Sequence, residues 1–439
     1  MARTHQRRPL RVLLNNRLVG VLFKETSGAI EFRYDSAWLS SDQPVPVSLS
    51  LPLREDAFKG EPVIAVFENL LPDSDVLRRR VAEKVGASGT DAYSLLSEIG
   101  RDCVGAMQLL PADDKADHDT SRADGEAIGE AGIEAMLKNL KQAPLGLGRD
   151  QDFRISVAGA QEKTALLFHE GQWLKPRGAT PTTHLFKTQI GTLPNGLDLS
   201  HSIENEFYCL KLLAAFGLPV NAAEIKTFGK TKALVIERFD RRWMQDGRLV
   251  RLPMEDCCQA LSVPPSRKYQ SEGGPGMVDI LTLLKAGDSP SADHKTFIKA
   301  QILFWLIGAT DGHAKNFSLF LGPQGRFRVA PLYDVLTAQP SLDSKQIHKK
   351  QMKLAMSVGE ERHDVIESFS GRHFLQTAER AGISPTLAKE ALQEIADRTA
   401  AAIIETEKHL PRRFPEHIHN SVSKALQSRL PFLFAKEGK

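Results

Sequence analysis

The sequence predicts an α+β fold in which a small N-terminal α/β subdomain precedes a larger, mostly helical C-terminal domain. Three observations predict it. Leu10–Leu14, Leu18–Phe23 and Ala29–Tyr34 alternate apolar and polar side chains, with turn chemistry at Asn15-Asn16 and Ser27-Gly28 between them. The stretch from Ala112 to Gly125 holds almost no apolar side chain and cannot bury enough surface to order itself well, so it reads as a linker or mobile excursion. Late in the chain the pattern turns helical, with Ser384-Pro385 opening one helix to about His409 and a last helix over roughly Glu416 to Leu430. The expected division is residues 8–111, the linker 112–130, and residues 131–439.

The elements follow in order. The first three runs make an antiparallel meander. The apolar run Val63–Phe67 leads into Asn69-Leu-Leu-Pro-Asp73, where Asp73 is the expected cap of a helix to about Val85. A short helix ends at Gly100, and Val104–Leu110 reads as a strand. Ile155–Gly159 and Thr164–Phe168 read as strands about a turn, and Thr183–Thr188 as another. Ser202 caps a helix to Gly217, with Pro219 as its stop. Ile225–Phe228 and Ala233–Glu237 form a hairpin. Residues 297–307 are apolar on nearly every face, as in a helix buried all round, and Gly308 ends it. Phe317–Leu321 and Phe327–Leu332 then read as a hairpin about Gly322-Pro-Gln-Gly325.

Composition narrows the class. The chain has 439 residues, 41% hydrophobic and 25% charged, ordinary for a globular protein, and a net charge of +3 that does not by itself announce nucleic-acid binding. No apolar run is long enough to span a bilayer, and the basic N-terminus lacks the apolar segment of a secretory signal. Cys103, Cys209, Cys257 and Cys258 show no C-x-x-C pair and no zinc spacing, so reduced thiols in a cytoplasm are expected.

One segment carries chemistry. Asp311-Gly-His-Ala-Lys-Asn316 is followed eighteen residues later by Asp334, itself preceded by Tyr333. Phosphoryl transfer from ATP needs an acid beside the attacking hydroxyl and oxygen ligands that hold Mg²⁺ on the phosphates, with D-x-x-x-x-N on one loop and a second acid from a later element. A hairpin centred on residues 322–325 sets Asn316 opposite about residue 331 and returns Asp334 beside Asn316 and Asp311. His313 inside the motif reads as a hydrogen-bonding partner, and Lys315 as an exposed loop lysine or a phosphate contact.

Other candidates lie upstream. Val157-Ala158-Gly159-Ala160-Gln161-Glu162-Lys163 is a small-residue loop whose amides suit a phosphate, or else a plain hairpin turn. Lys187 on an apolar strand is unexpected unless it is at an edge or paired. Glu206 either orients that lysine or solvates its helix face. Glu237, Arg238 and Phe239 end a strand where a nucleotide base would meet backbone and an apolar ring, with a core aromatic as the alternative for Phe239. Gly229-Lys230-Thr231 mimics the end of a P-loop, but Glu224 stands where that pattern needs glycine.

With these stretches, and with Asn69–Ser74, Leu95–Asp102, Ile155–Thr164, Val235–Arg242 and Trp305–Asn316, the sequence resembles the HipA family, the kinase toxins of type II toxin–antitoxin systems. The resemblance covers about residues 10–430. It implies a fold related to protein and phosphoinositide kinases and a serine/threonine protein kinase using ATP and Mg²⁺. It implies Asp311 as the catalytic residue, Asn316 and Asp334 as metal ligands, and an ATP site of Ala158, Gly159, Ala160, Gln161, Glu162, Lys163, Lys187, Glu237, Arg238, Phe239, His313, Ala314, Lys315, Asn316, Tyr333 and Asp334. Ser156 matches the family's autophosphorylated serine. The family implies glutamyl-tRNA synthetase as target, translation arrest and persistence as outcome, and a HipB-type helix-turn-helix antitoxin dimer with which the kinase represses its operator. The chain departs from the family pattern at Glu379, Arg380 and Gly382, which turns any direct DNA contact toward residues such as Arg372 and Arg380. Two readings compete: a catalytically silent antitoxin partner and co-repressor, and a small-molecule or lipid kinase. A complete acid, amide and lysine set disfavours the first, and the lack of a basic amphipathic membrane helix the second.

Overall fold

A computed structural model of the chain describes residues 9–114, 123–147, 155–156 and 161–434. They gather into two compact units. The first lies within Met1–Thr188, Lys226–Ser266 and Phe320–Arg326, and the second comprises Gln189–Ile225, Arg267–Leu319 and residues from Phe327 onward.

The first unit opens with the expected meander. Leu10–Leu14 pairs antiparallel with Arg17–Lys24, which pairs with Ile30–Tyr34. Met107–Pro111 adds to the outer edge of Leu10–Leu14, and Phe58–Lys59 to that of Ile30–Tyr34. Alternation buries Val12, Leu22 and Phe32 on one face, where helices Glu61–Glu68, Asp75–Val85 and Ala92–Ile99 cover them with Phe67, Val81 and Leu96. The run Val63–Phe67 is therefore helical. Ser74, not Asp73, caps the next helix, its Oγ accepting from Leu77 N at 3.3 Å. The strand expected from Val104 starts at Met107, because the chain passes first through Gly105 at φ +71°.

A second, six-stranded sheet runs in the order Ala223–Phe228, Thr231–Glu237, His184–Lys187, Lys163–His169, Gln172–Pro176, Gly125–Ala127. The strand expected at Ile155–Gly159 is not seen in Ile155 and Ser156, and residues 157–159 lie outside the described ones. The helix Glu130–Lys138 is an unanticipated element. It supplies the carboxylates of Glu130 and Glu134, which accept from Gly229 N and Lys230 N at 3.2 and 2.7 Å. The Gly-Lys-Thr turn thus offers its amides to carboxylates, as its failed P-loop spacing requires. All four cysteines are buried, so Cys257 and Cys258 are packing residues.

The first unit also buries a carboxyl group that makes stability depend on pH. Glu255 accepts from Ser48 Oγ at 2.5 Å and Leu49 N at 2.8 Å, yet burial pushes it up to about 8. The folded chain then keeps a proton that the unfolded chain releases near the ordinary glutamate value of about 4.3, so stability falls as pH rises from there to about 8. Glu255→Gln removes that slope. Urea midpoints of wild type and variant are expected to diverge between pH 5 and 8 in the variant's favour, and a difference that does not change with pH contradicts this assignment.

The second unit is mostly helical. Pro385–Lys408 packs on Ser202–Ala215 and Pro290–Ile307, and Glu416–Arg429 packs on Pro290–Ile307. Ser202 is the first residue of its helix rather than the cap, which falls at His201. Pro290–Ile307 begins seven residues before its apolar stretch, whose residues from Phe297 on are buried apart from Lys299, paired with Glu394 at 3.2 Å. Trp305 closes that core, donating Nε1 to Ile366 O at 2.9 Å. Among the described residues no helix is long and apolar enough to cross a membrane.

Candidate functional site

In the second unit the helix Pro290–Ile307 stops at Gly308, in the left-handed conformation common at helix ends. The chain then passes through Asp311 and packs Gly312 against Phe304, whose ring would lie 2.6 Å from any Cβ at 312. That contact explains the glycine inside the motif. His313 N donates to Asp311 O at 2.8 Å, Asn316 N to His313 O at 2.9 Å, and Asn316 Nδ2 to Asp311 O at 2.8 Å, so the loop is closed on itself. The returning strand holds the expected register within one residue, Ala330 N reaching Ser318 O at 2.8 Å. Tyr333 hydroxyl bonds Lys315 O and Ser318 Oγ at 2.9 and 2.6 Å.

Asp334 is clamped from both sides. Upstream, Leu332 N donates to Pro219 O and Asn221 N to Leu332 O. Downstream, Thr337 and Asn205 exchange two hydrogen bonds at 2.8 and 2.9 Å, Thr337 Oγ1 donates to Ile307 O at 2.5 Å, and Ala338 N donates to Gly308 O at 2.9 Å. Between these anchors Asp334 sits at φ +56°, a strained region for most side chains that Asp and Asn enter most readily. The result is a small cleft lined by Asp311, Asn316 and Asp334 with Phe304, Gly312 and Tyr333. Asp311 and Asp334 are solvent-accessible, whereas His313 and Lys315 are buried. Burial of Lys315 corrects the exposed-lysine expectation. Ala314 is buried in the same turn.

The donor set fits a hard divalent ion. Mg²⁺ is usually held by one or two carboxylates plus phosphates and water rather than by an all-protein cage. The cleft supplies two carboxylates and an amide, and among the described residues no group of three or more His, Cys, Asp or Glu forms a cage.

In the first unit Lys163 and Lys187 stand directly opposite each other on paired strands, and both are buried. Glu237 is exposed at the end of its strand, and Phe239 is half-exposed with its ring edge-on to Phe320 at 5.7 Å, so it is not a core aromatic. Gln161 donates to Thr188 O at 2.6 Å, and Glu162 pairs with Arg80 at 3.0 Å. Ala158, Gly159 and Ala160 lie outside the described residues. Arg238 is committed elsewhere: its N–H goes to Thr183 O, and its guanidinium is buried against Asp240 and Asp102. Asp102 also accepts from Arg241 at 2.8 Å, Arg251 at 3.0 Å, and Thr182 N and Oγ1 at 3.0 and 2.7 Å. Burial alone would raise its carboxyl, but the three guanidiniums hold it well below the usual carboxylate range. Asp102 O accepts from Ser156 N at 3.0 Å, and Ser156 Oγ donates to Leu70 O at 2.7 Å. Ser156 is wholly buried and in no strand. In the second unit Glu206 is buried on its helix, which removes the reading of a solvated face.

Sequence reasoning missed Tyr269, whose hydroxyl donates to Asp311 Oδ1. It stands 42 residues from Asp311, with no spacing rule to reveal it.

An acid-amide-acid cleft on a helix-loop-hairpin, in a mixed fold, defines a kinase-type phosphotransferase. The comparisons agree. Residues 155–403 match the HipA-like C-terminal domain and residues 10–110 the HipA N-terminal domain. The Y4mE protein of Sinorhizobium fredii, named as a kinase, is 34% identical over 90% of this chain and 91% of its own. The serine/threonine-protein kinase toxin HipA of Shewanella oneidensis is 27% identical over 92% of this chain and 90% of its own. A solved complex of Shewanella oneidensis HipA, HipB and operator DNA contains a chain of the same fold, with TM-score 0.80 and 24% identity, covering 97% of this chain and 98% of that one. This chain belongs to the HipA family and is a protein kinase.

Proposed function

We propose that the chain is an ATP- and Mg²⁺-dependent serine/threonine kinase toxin that arrests growth by phosphorylating glutamyl-tRNA synthetase. The observation that carries this reading is the cleft that gathers Asp311, Asn316 and a strained Asp334. Asp311 accepts the proton of the attacking hydroxyl, and Asn316 and Asp334 hold Mg²⁺. The metal, when bound, offsets charge on the phosphates. Lys163 and Lys187 occupy opposed, buried positions on paired strands, a placement of two basic residues that favours an anion such as a phosphate nearby. Glu237 and Phe239 meet the base, and His313, Lys315 and Tyr333 shape the loop that carries Asp311.

Ser156 is the proposed autophosphorylation site. Because it is buried on Leu70 O, it reaches a phosphate donor only after leaving that seat, and an added charge of about −1.5 to −2 keeps it from returning. A HipB-type antitoxin, as a dimer, is the proposed partner, with operator DNA reached through it and co-repression as the result; the Shewanella complex of HipA with HipB and operator DNA supports this pairing. Arg372 and Arg380 are the proposed direct DNA contacts, although Arg380 already donates to Gly359 O at 2.5 Å.

The test incubates the chain with radiolabelled ATP, Mg²⁺ and cell lysate, beside Asp311→Asn. Label on a synthetase-sized band, absent with the variant, is expected. No label on any protein, with operator co-binding retained, overturns the reading in favour of a silent co-repressor.

A further inference from the structure

We propose that Tyr269 is a positioning residue for Asp311, an inference that rests on the kinase reading of the cleft. The phenol donates its proton to Asp311 Oδ1, and His313 Nε2 addresses the same oxygen from 3.9 Å. Both contacts fall on one carboxylate oxygen and so turn the other toward an incoming hydroxyl. A side chain that is more than half exposed otherwise samples several rotamers, and an acid that must meet a hydroxyl within hydrogen-bond reach loses rate with every misoriented one.

Tyr269 is itself held firmly enough to do this. Its ring stands edge-on to His313, centroids 4.8 Å apart at 87°, and Lys268 lies over it at 5.5 Å. Its carbonyl accepts from Glu272 N at 3.0 Å and Gly274 N at 2.9 Å, closing a turn so tight that a Cβ at Gly274 would lie 2.0 Å from Arg267 O. The next residue, Gln270, fastens the turn by accepting from Ser357 N at 2.7 Å and Ser357 Oγ at 2.9 Å. A phenol on a braced turn, between a buried imidazole and the acid, is arranged to fix the acid's direction. The hydroxyl, not the ring, is the group that acts.

Tyr269→Phe keeps the ring and deletes the hydroxyl. The probe is a degenerate serine/threonine peptide mixture with radiolabelled ATP, and full-length protein is used throughout. Wild type is measured first beside Asp311→Asn: if it transfers no Asp311-dependent label, the kinase reading fails, not this inference. Given transfer, Tyr269→Phe is expected to lower kcat about tenfold while KM for ATP, the affinity for a fluorescent ATP analogue and the melting midpoint stay near wild type. An unchanged kcat overturns the proposal, as does a lower melting midpoint with normal kcat in the folded fraction. A raised kcat also overturns it, because the phenol would then be competing with the acceptor hydroxyl.

Discussion

Asp311→Asn is expected to lower the rate of phosphoryl transfer about a thousandfold, within the ~10²–10⁴ that a positioned acid or base contributes. The substitution removes the charge and the basicity and keeps the shape. The loop should survive it, because Asn316 and His313 bind the main-chain oxygen of residue 311, not its carboxylate. The side chain is more than half exposed, so its loss costs little stability. Initial rates with labelled ATP, together with a melting curve, check both halves. A rate within tenfold of wild type removes Asp311 from the chemistry, and a collapsed melting curve removes it from the surface role assigned here.

Asp102→Asn is the substitution with the largest expected effect on stability, about 3–5 kcal/mol, because removing one partner leaves buried charges uncompensated. The carboxylate meets three guanidiniums and Thr182, and nearby Asp240 answers only part of that charge. The loss also reaches Arg238, the neighbour of Glu237 and Phe239, which Asp102 holds through its carboxylate. The pH dependence has a definite sign. The folded value is depressed, so the stabilisation is complete above the ordinary aspartate value of about 3.9 and is lost as pH falls from there through the folded value. Urea midpoints of wild type and variant should keep a constant gap down to about pH 4, below which wild type falls more steeply than the variant. Equal acid slopes would show that this carboxylate is not a major acid-labile group of the fold.

Much of the architecture was legible because periodicity survives burial. The meander announced itself through alternation that places Val12, Leu22 and Phe32 on one face, and Pro385–Lys408 through the Ser384 cap and the proline that follows it. Where the pattern weakened, the reading shortened. The first turns of Pro290–Ile307 are polar, and the helix was legible only from Phe297. Glu130–Lys138 follows a polar stretch and was passed over. In the site, Asp311, Asn316 and Asp334 were legible because hairpin geometry ties sequence spacing to distance. Tyr269 was not, since tertiary packing alone brings it to Asp311, and neither was the Asn205–Thr337 pair, whose members lie 132 residues apart. The burial of Lys315 escaped for the same reason: a loop residue's exposure depends on what packs over it.

The backbone at residue 334 has a consequence for which substitutions the chain can absorb. Two filters operate there through different atoms. The positive φ screens for Asp, Asn or Gly and turns away every β-branched residue, whatever the protein is used for. The carboxylate screens only when a cation must be held. A library selected for folding alone should therefore return all three residue types at this position, and one selected for phosphoryl transfer should return aspartate alone.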